Sequence, residues 1–273
     1  MIEKIFEDEV NQVFKVHQNA KGNFGTFSHE ITIAFCGDQS VKTLNNSYMG
    51  SDVQQITGSQ VHGSDIWDID KNPSDNSVKC DALVTTKPQK ALTILTADCL
   101  PLMLFVFRNE KPPVLLAVHC GWRSLAGGII DAVFDHLSKH YDIDMKGEKM
   151  NASVKNVYEI GAILGPCIDS CCYYVKDDFL QAFQPLVKKY DLDINYYLTQ
   201  QVDDRVSDKV SFSLLLLCQD LLMKRGVEAK SIIMSRRCTK CNSAYHSHRR
   251  NATKERNFSF IFSRNSSMND AVL

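Results

Sequence analysis

No apolar stretch of this chain approaches the ~20 residues a helix needs to span a bilayer, which argues against a transmembrane protein. Net charge is nearly absent as well. The 31 basic residues meet 32 acidic ones, leaving −1 and no overall field to draw nucleic acid or a membrane surface. The opening segment, Met1-Ile2-Glu3-Lys4-Ile5-Phe6-Glu7-Asp8, is acidic and shows no signal-peptide h-region, so the expected location is cytoplasmic. No internal repeat or low-complexity linker interrupts the sequence. Polar stretches at 70–77 and about 140–156 are expected as surface connections inside one domain covering 1–273. With 44% hydrophobic and 23% charged residues, the composition is that of a globular protein with an ample core.

Cysteine is the abundant residue. Ten of them would imply disulfide staples in a small secreted protein, but a chain of 273 residues without an evident export signal points to reduced, mostly buried thiols. A subset is then left for ligation or nucleophilic chemistry.

Short apolar or alternating runs bounded by turn residues predict strands at 30–35, 82–85, 91–95, 102–107, 114–118 and 157–163, with a further one at 230–234. Leu125, Ile129, Ile130, Val133, Phe134 and Leu137 fall on one face of a helix beginning near Ser124. A second helix is expected from Ser213 to Arg225, capped by Ser211 or Ser213 and stopped by Gly226, and a third at 176–190. Strands and helices mix without strict βαβ alternation. The fold class is therefore α+β, with layered mixed β-sheets flanked by helices.

Three residues stand at the ends of these runs: His62 in Gln60-Val61-His62-Gly63, Cys99 in Thr96-Ala97-Asp98-Cys99-Leu100-Pro101, and His119 in Ala117-Val118-His119-Cys120-Gly121-Trp122-Arg123. Cysteine and histidine so placed can form a nucleophile with its base, or three ligands of a metal with one position open. Arg123 follows a Gly-Trp pair where strand passes into helix, a position suited to an anion, and Gly127-Gly128 points to close approach at that turn. Trp122 could stack on a purine or serve as a buried indole. Cys238-x2-Cys241 followed by His246 and His248 suggests a zinc knuckle, but His246 comes only five residues after Cys241, short of the usual ~12–15. Cys167, Cys171 and Cys172 crowd one turn and are assigned to core or supporting contacts.

In their joint order, these segments resemble the YfiH-like family, long labelled polyphenol oxidase or laccase-domain proteins and regarded as purine nucleoside phosphorylases. The resemblance runs over about 54–263 and is carried by the segments quoted above together with Asp81-Ala82-Leu83-Val84-Thr85-Thr86, Gly165-Pro166-Cys167-Ile168, Cys238-Thr239 and His248-Arg249-Arg250. It implies a metal site on His62, Cys99 and His119, with Zn2+ or Cu2+ as the ion. It also implies Cys99 and Arg123 as catalytic residues, and Gln60, Arg123, Arg249 and Arg250 as contacts to substrate or phosphate. The implied partners are purine nucleosides (adenosine, inosine, guanosine, S-methyl-5′-thioadenosine) and phosphate, with adenosine deamination as a further activity. A monomer or small homo-oligomer is expected. Two regions depart from the family pattern. A Gly-rich segment with Ser-Leu-Asn-Leu is represented only by Gly22-Asn23-Phe24-Gly25-Thr26-Phe27-Ser28, and a closing Thr-Gly-Arg by Lys254-Glu255-Arg256.

Three rival functions remain at this point. A copper-dependent polyphenol oxidase (laccase-like) would use the same donors, since imidazole and thiolate suit copper; but eight histidines in all, with only His62 and His119 in the motifs, are too few for a multicopper centre. A metal-free cysteine hydrolase would pair Cys99 with His119 as its base. A non-catalytic scaffold would retain the pocket without chemistry.

Overall fold

Residues 100–120 form the centre of the molecule. Strands β8 (Leu100–Arg108) and β9 (Lys111–Cys120) are an antiparallel pair whose members are apolar almost throughout, because both faces are covered. Leu102, Leu104 and Val106 point to a layer of helices, while Met103, Phe105 and Phe107 point to a second sheet. The computed structural model describes residues 2–7, 12–22, 25–37, 49–73, 78–109, 111–143, 158–200 and 210–264. Parts of both polar stretches, 74–77 and 144–156, and of the Gly-rich segment, 23–24, lie outside the described residues.

The hairpin is the middle of a six-stranded mixed sheet. On one side stand β10 (Tyr158–Leu164) and β14 (Ile232–Met234), on the other β6 (Ala82–Thr85) and β5 (Ile66–Asp68), in the order β14-β10-β8-β9-β6-β5. The second sheet runs β1-β2-β3-β15-β7-β4, from β1 (Ile2–Glu7), β2 (Gln12–Gly22), β3 (Gly25–Cys36), β15 (Asn257–Ser263), β7 (Lys90–Thr96) and β4 (Gln54–Thr57). Between the sheets, Phe14, Ile31, Ile33, Phe35, Leu92 and Ile94 meet Leu83, Met103, Phe105, Leu115 and Ile163 in one apolar layer. A small three-stranded sheet, β11 (Tyr174–Val175), β13 (Val210–Phe212) and β12 (Leu198–Gln200), packs Phe212 into the apolar cluster that the helices share.

Among the described residues there are six α-helices. These are α1 (Trp122–Ala126), α2 (Ile129–Tyr141), α3 (Asp177–Ala182), α4 (Gln184–Tyr190), α5 (Leu214–Lys224) and α6 (His248–Asn251). Layered mixed sheets flanked by helices are the α+β class read from the sequence. Ser213 caps α5, its side chain accepting the Leu216 N–H, and Gly226 at φ +97° follows its end. Two expected helices prove to be broken. The helix from Ser124 is interrupted after Ala126, because Gly128 takes φ +82° and restarts the chain as α2. The helix over 176–190 divides at Phe183, with Pro185 in the first turn of α4. The strand expected at 230–234 begins only at Ile232, after a short 3-10 turn at Ala229–Ser231.

Candidate active site

Strand register assembles the site. Leu100 pairs with Cys120 and Pro101 with His119, so Cys99, in the turn before β8, comes opposite Gly121 at the end of β9. On the other flank Ala82 pairs with Val118, and the His119 N–H donates to the Asp81 carbonyl at 2.7 Å, which sets Asp81 beside His119. His62 arrives from the loop between β4 and β5, at φ +61°. The structure brings His62, Cys99 and His119 together: their ligand atoms all lie within 4.8 Å of one another, and Cys99 Sγ is 3.9 Å from His62 Nε2.

Asp81 is the residue that sequence reasoning quoted but gave no role. Its carboxylate accepts the N–H groups of Val61 (3.2 Å), His62 (2.9 Å) and Gly63 (2.7 Å), and His119 Nδ1 donates to it at 2.7 Å. One buried carboxylate thus fixes the His62 loop and the tautomer of His119, leaving His119 Nε2 to face the cleft. A lone aspartate just before an apolar strand was the only signal for it. Gly121 is a second missed residue. A Cβ there would stand 3.0 Å from His62 Cδ2, 3.3 Å from Cys99 Sγ and 3.5 Å from His119 Cε1, so only glycine leaves the three side chains room to converge.

The electrostatics follow from this contact set. Burial pushes the Cys99 thiol up, but hydrogen bonds and charge from His119 and His62 outweigh it and bring the group down to about 6. Burial lowers His119, yet the hydrogen bonds to Asp81 and Cys99 carry it up to about 9. Asp81 is raised by burial and lowered further by its donors, so it stays below the usual carboxylate range. A thiolate between two imidazoles, one oriented by a carboxylate, is a donor set that zinc accepts. Tetrahedral zinc holds such atoms roughly 3.3–3.7 Å apart, so a contraction of at most about 1.5 Å would close the set around an ion. All three side chains line the cleft, so an ion they held would be reachable from it.

That cleft has a volume of about 560 Å³. Arg123, His248, Arg249 and Arg256 contribute cationic or protonatable groups to its lining, and Trp122 and Tyr173 contribute aromatic surface. Arg123 lies against the Trp122 ring, 4.3 Å from its centroid, and because α1 has only five residues, the guanidinium rather than a helix dipole supplies positive charge. Arg256 survives from the altered closing motif and lines the same cleft. Gln60 also lines it, but its amide is engaged with Leu95, Nε2 donating to the carbonyl and Oε1 accepting the N–H, both at 2.8 Å. Arg250 is directed away. Its guanidinium donates to the carbonyls of Thr239 (2.8 Å), Lys240 (3.1 Å), Asn242 (3.2 Å) and Tyr245, tying up a loop.

Asp98, next to Cys99, occupies φ +94°, a strained conformation for a residue with a Cβ. Its carboxylate accepts Thr239 Oγ1 at 2.7 Å and the Arg249 N–H at 2.6 Å, and its carbonyl accepts the Ile168 N–H at 2.9 Å. Cys238 and Cys241 do not gather His246 and His248, as a knuckle would require; their sulfur neighbours are Cys171 and Cys172.

Comparison with known proteins agrees with this architecture. The chain is 28% identical over 204 residues to the purine nucleoside phosphorylase YfiH of Escherichia coli K12, covering 74% of this chain and 71% of that protein. It is 29% identical over 171 residues to the adenosine deaminase RL5 of an unknown prokaryotic organism, covering 62% of this chain and 56% of RL5. The crystal structure of YlmD from Geobacillus stearothermophilus superposes with a TM-score of 0.66 at 21% identity, over 93% of this chain and 92% of YlmD. Residues 37–264 match the family model described as multi-copper polyphenol oxidoreductase laccase, and the chain belongs to this laccase-like, YfiH family.

Proposed function

We propose that this protein is a purine nucleoside phosphorylase acting on adenosine, inosine, guanosine and S-methyl-5′-thioadenosine, with deamination of adenosine as a second activity. The observation that carries this reading is the convergence of His62, Cys99 and His119 on the floor of a cleft that also contains three arginines and two aromatic side chains. Relatives named purine nucleoside phosphorylase and adenosine deaminase support it. The protein is read as cytoplasmic, a monomer or small homo-oligomer; no helix among the described residues is long and apolar enough to cross a membrane.

In phosphorolysis a phosphate oxygen forms a bond to C1′ while the C1′–N9 bond breaks, and the electron pair leaves with the purine. Arg123, Arg249 and Arg256 line the cleft and neutralise the phosphate, Arg249 and Arg256 each being anchored through Nη1 donating to backbone carbonyls (Tyr174 at 3.0 Å; Glu255 at 2.8 Å and Thr253 at 3.2 Å). Trp122 and Tyr173 offer apolar surface to the base. Asp81 holds His119 and the His62 loop in place before substrate arrives. Zinc held by His62, Cys99 and His119 would supply a Lewis acid at the cleft floor, and copper is the alternative ion for the same donors.

A cysteine hydrolase reading has Cys99, His119 and Asp81 in nucleophile, base and orienting positions. The second imidazole favours metal: a nucleophile needs one base, whereas His62 brings another ring nitrogen to within 3.9 Å of the thiol. The multicopper reading lacks donors. Among the described residues this is the only group of three or more candidate ligands that contains histidine.

Incubating purified protein with adenosine, with and without phosphate, tests the proposal by mass analysis of products. Adenine and ribose 1-phosphate formed only with phosphate are expected, and inosine would report the second activity. No phosphate-dependent release of the free purine base from adenosine or from any of the other three nucleosides would overturn it. Arg123→Ala is expected to raise the KM for phosphate far more than the KM for nucleoside; equal effects would remove Arg123 from the phosphate site.

A further inference from the structure

Four cysteines outside the cleft come together from two distant parts of the chain. The sulfur atoms of Cys171, Cys172, Cys238 and Cys241 all lie within 4.8 Å of one another. Cys241 Sγ is 3.5 Å from Cys171 Sγ and 3.3 Å from Cys172 Sγ, and all four are free thiols. A disulfide would need ~2.05 Å. A tetrahedral tetrathiolate zinc site, with Zn–S about 2.3 Å, separates its sulfurs by roughly 3.8 Å. We propose that these four cysteines bind a structural zinc ion, distinct from the metal site in the cleft.

The backbone is arranged for it. Cys171 and Cys172 lie in the turn after β10, and Cys238 and Cys241 in the turn after β14, two strands that run parallel as neighbours. The turns stay paired past the strand ends: the Cys167 N–H donates to the Arg237 carbonyl at 3.3 Å and the Thr239 N–H to the Cys167 carbonyl at 3.0 Å. Cys238-Thr239-Lys240-Cys241 is a C-x2-C pair, and Cys238 Sγ accepts backbone N–H groups from Asp169 (3.5 Å), Lys240 and Cys241. Amide donors to sulfur are the support a ligating thiolate uses. Four thiolates form a closed ligand set, which is the structural rather than the catalytic form of a zinc site, and softness selects zinc over calcium or magnesium. An iron–sulfur cluster would need its thiolates spread around several metal atoms, wider than this group allows.

The ion would act as a clamp on the cleft wall. The two turns it joins supply Ile168 and Thr239, which hold Asp98, and they lead into Tyr173. Cys171 and Cys241 are exposed, so chelators and mercurials reach the site from solvent.

Metal analysis of the full-length protein, purified without chelator from zinc-supplemented cells, should count two zinc ions per chain. The Cys171→Ser/Cys241→Ser double variant should keep one, and Cys99→Ala should keep the other. Cobalt exchanged into the wild-type protein should give intense sulfur-to-metal charge-transfer and tetrahedral d–d absorption that persists in Cys99→Ala, a readout that does not depend on the double variant folding. One zinc per chain, removed entirely by Cys99→Ala, would overturn the proposal. So would a disulfide between any two of these four residues mapped in freshly isolated protein.

Discussion

Cys99 and Cys172 are both cysteines in turns at strand ends, yet their surroundings push them in opposite directions. Two imidazoles flank Cys99 and hold its thiol down at about 6. Cys172 sits among other thiols, where burial and the neighbouring Cys241 push it up to about 11. The first group is open: three donors of two kinds, a carboxylate behind them, a cleft in front. The second is closed: four donors of one kind, facing one another. The chemistry of a cysteine cluster follows from its partners and its remaining open side, not from the number of thiols.

The comparison can be broken most severely at Cys99. Cys99→Ala should lower phosphorolysis on the order of 10³-fold, equivalent to several kcal/mol of transition-state stabilisation, and halve the zinc content. Retained turnover would remove the cleft triad from the mechanism. In metal-free protein at pH 7.5, iodoacetamide should modify Cys99 about 10²-fold or more faster than Cys172, since one is mostly thiolate and the other mostly thiol. The Cys99 rate should rise as pH climbs through about 6 and level off above it. Peptide mapping across a pH series checks both statements, and a midpoint near 9 would show that the imidazoles do not hold the thiolate. Asp81→Asn should weaken metal binding at the cleft by roughly 10–100-fold while leaving the four-cysteine site filled. Competition with a chromogenic chelator measures it, and equal loss from both sites would indicate general unfolding instead. The smallest effect is expected from Thr239→Val, which removes the hydroxyl linking the clamped turn to Asp98. Turnover should fall a few-fold through kcat, with both zinc ions kept.

Much of the fold was legible because the strands at 82–85, 102–107 and 114–118 are buried on both faces and read as unbroken apolar runs. The cap at Ser213 and the stop at Gly226 were legible for the same local reason, since a helix end states its own chemistry. Where local signals conflicted, the pattern misled. Leu125 and Ile129 share an apolar face across Gly127-Gly128, and periodicity joined two helices that a left-handed glycine separates. β15 carried a Phe-Ser alternation at 258–263, yet its place between β3 and β7 depends on partners more than a hundred residues away.

At the cleft, it was the joint order of several motifs, through the family they resemble, that singled out His62, Cys99 and His119; taken one at a time, a turn histidine or a small core cysteine carries no such signal. Asp81 and Gly121 could not be read in the same way. An aspartate earns its role from the four donors that surround it, and a glycine from the atoms its missing Cβ would strike. Arg249 and Arg250 are adjacent and chemically identical, and only their surroundings send one to the cleft and the other to a ring of carbonyls.

Local pattern in the chain was enough for the α+β class and for the apolar strand pair at the centre, because periodicity is a local property, and the order of its motifs was enough to point to His62, Cys99 and His119 as candidate donors. Tertiary structure alone decided which cysteines meet. Cys238 and Cys241 are closer in sequence to His246 and His248, but parallel pairing of β10 with β14 carries them to Cys171 and Cys172, since strand register acts over distances the chain's own spacing does not record.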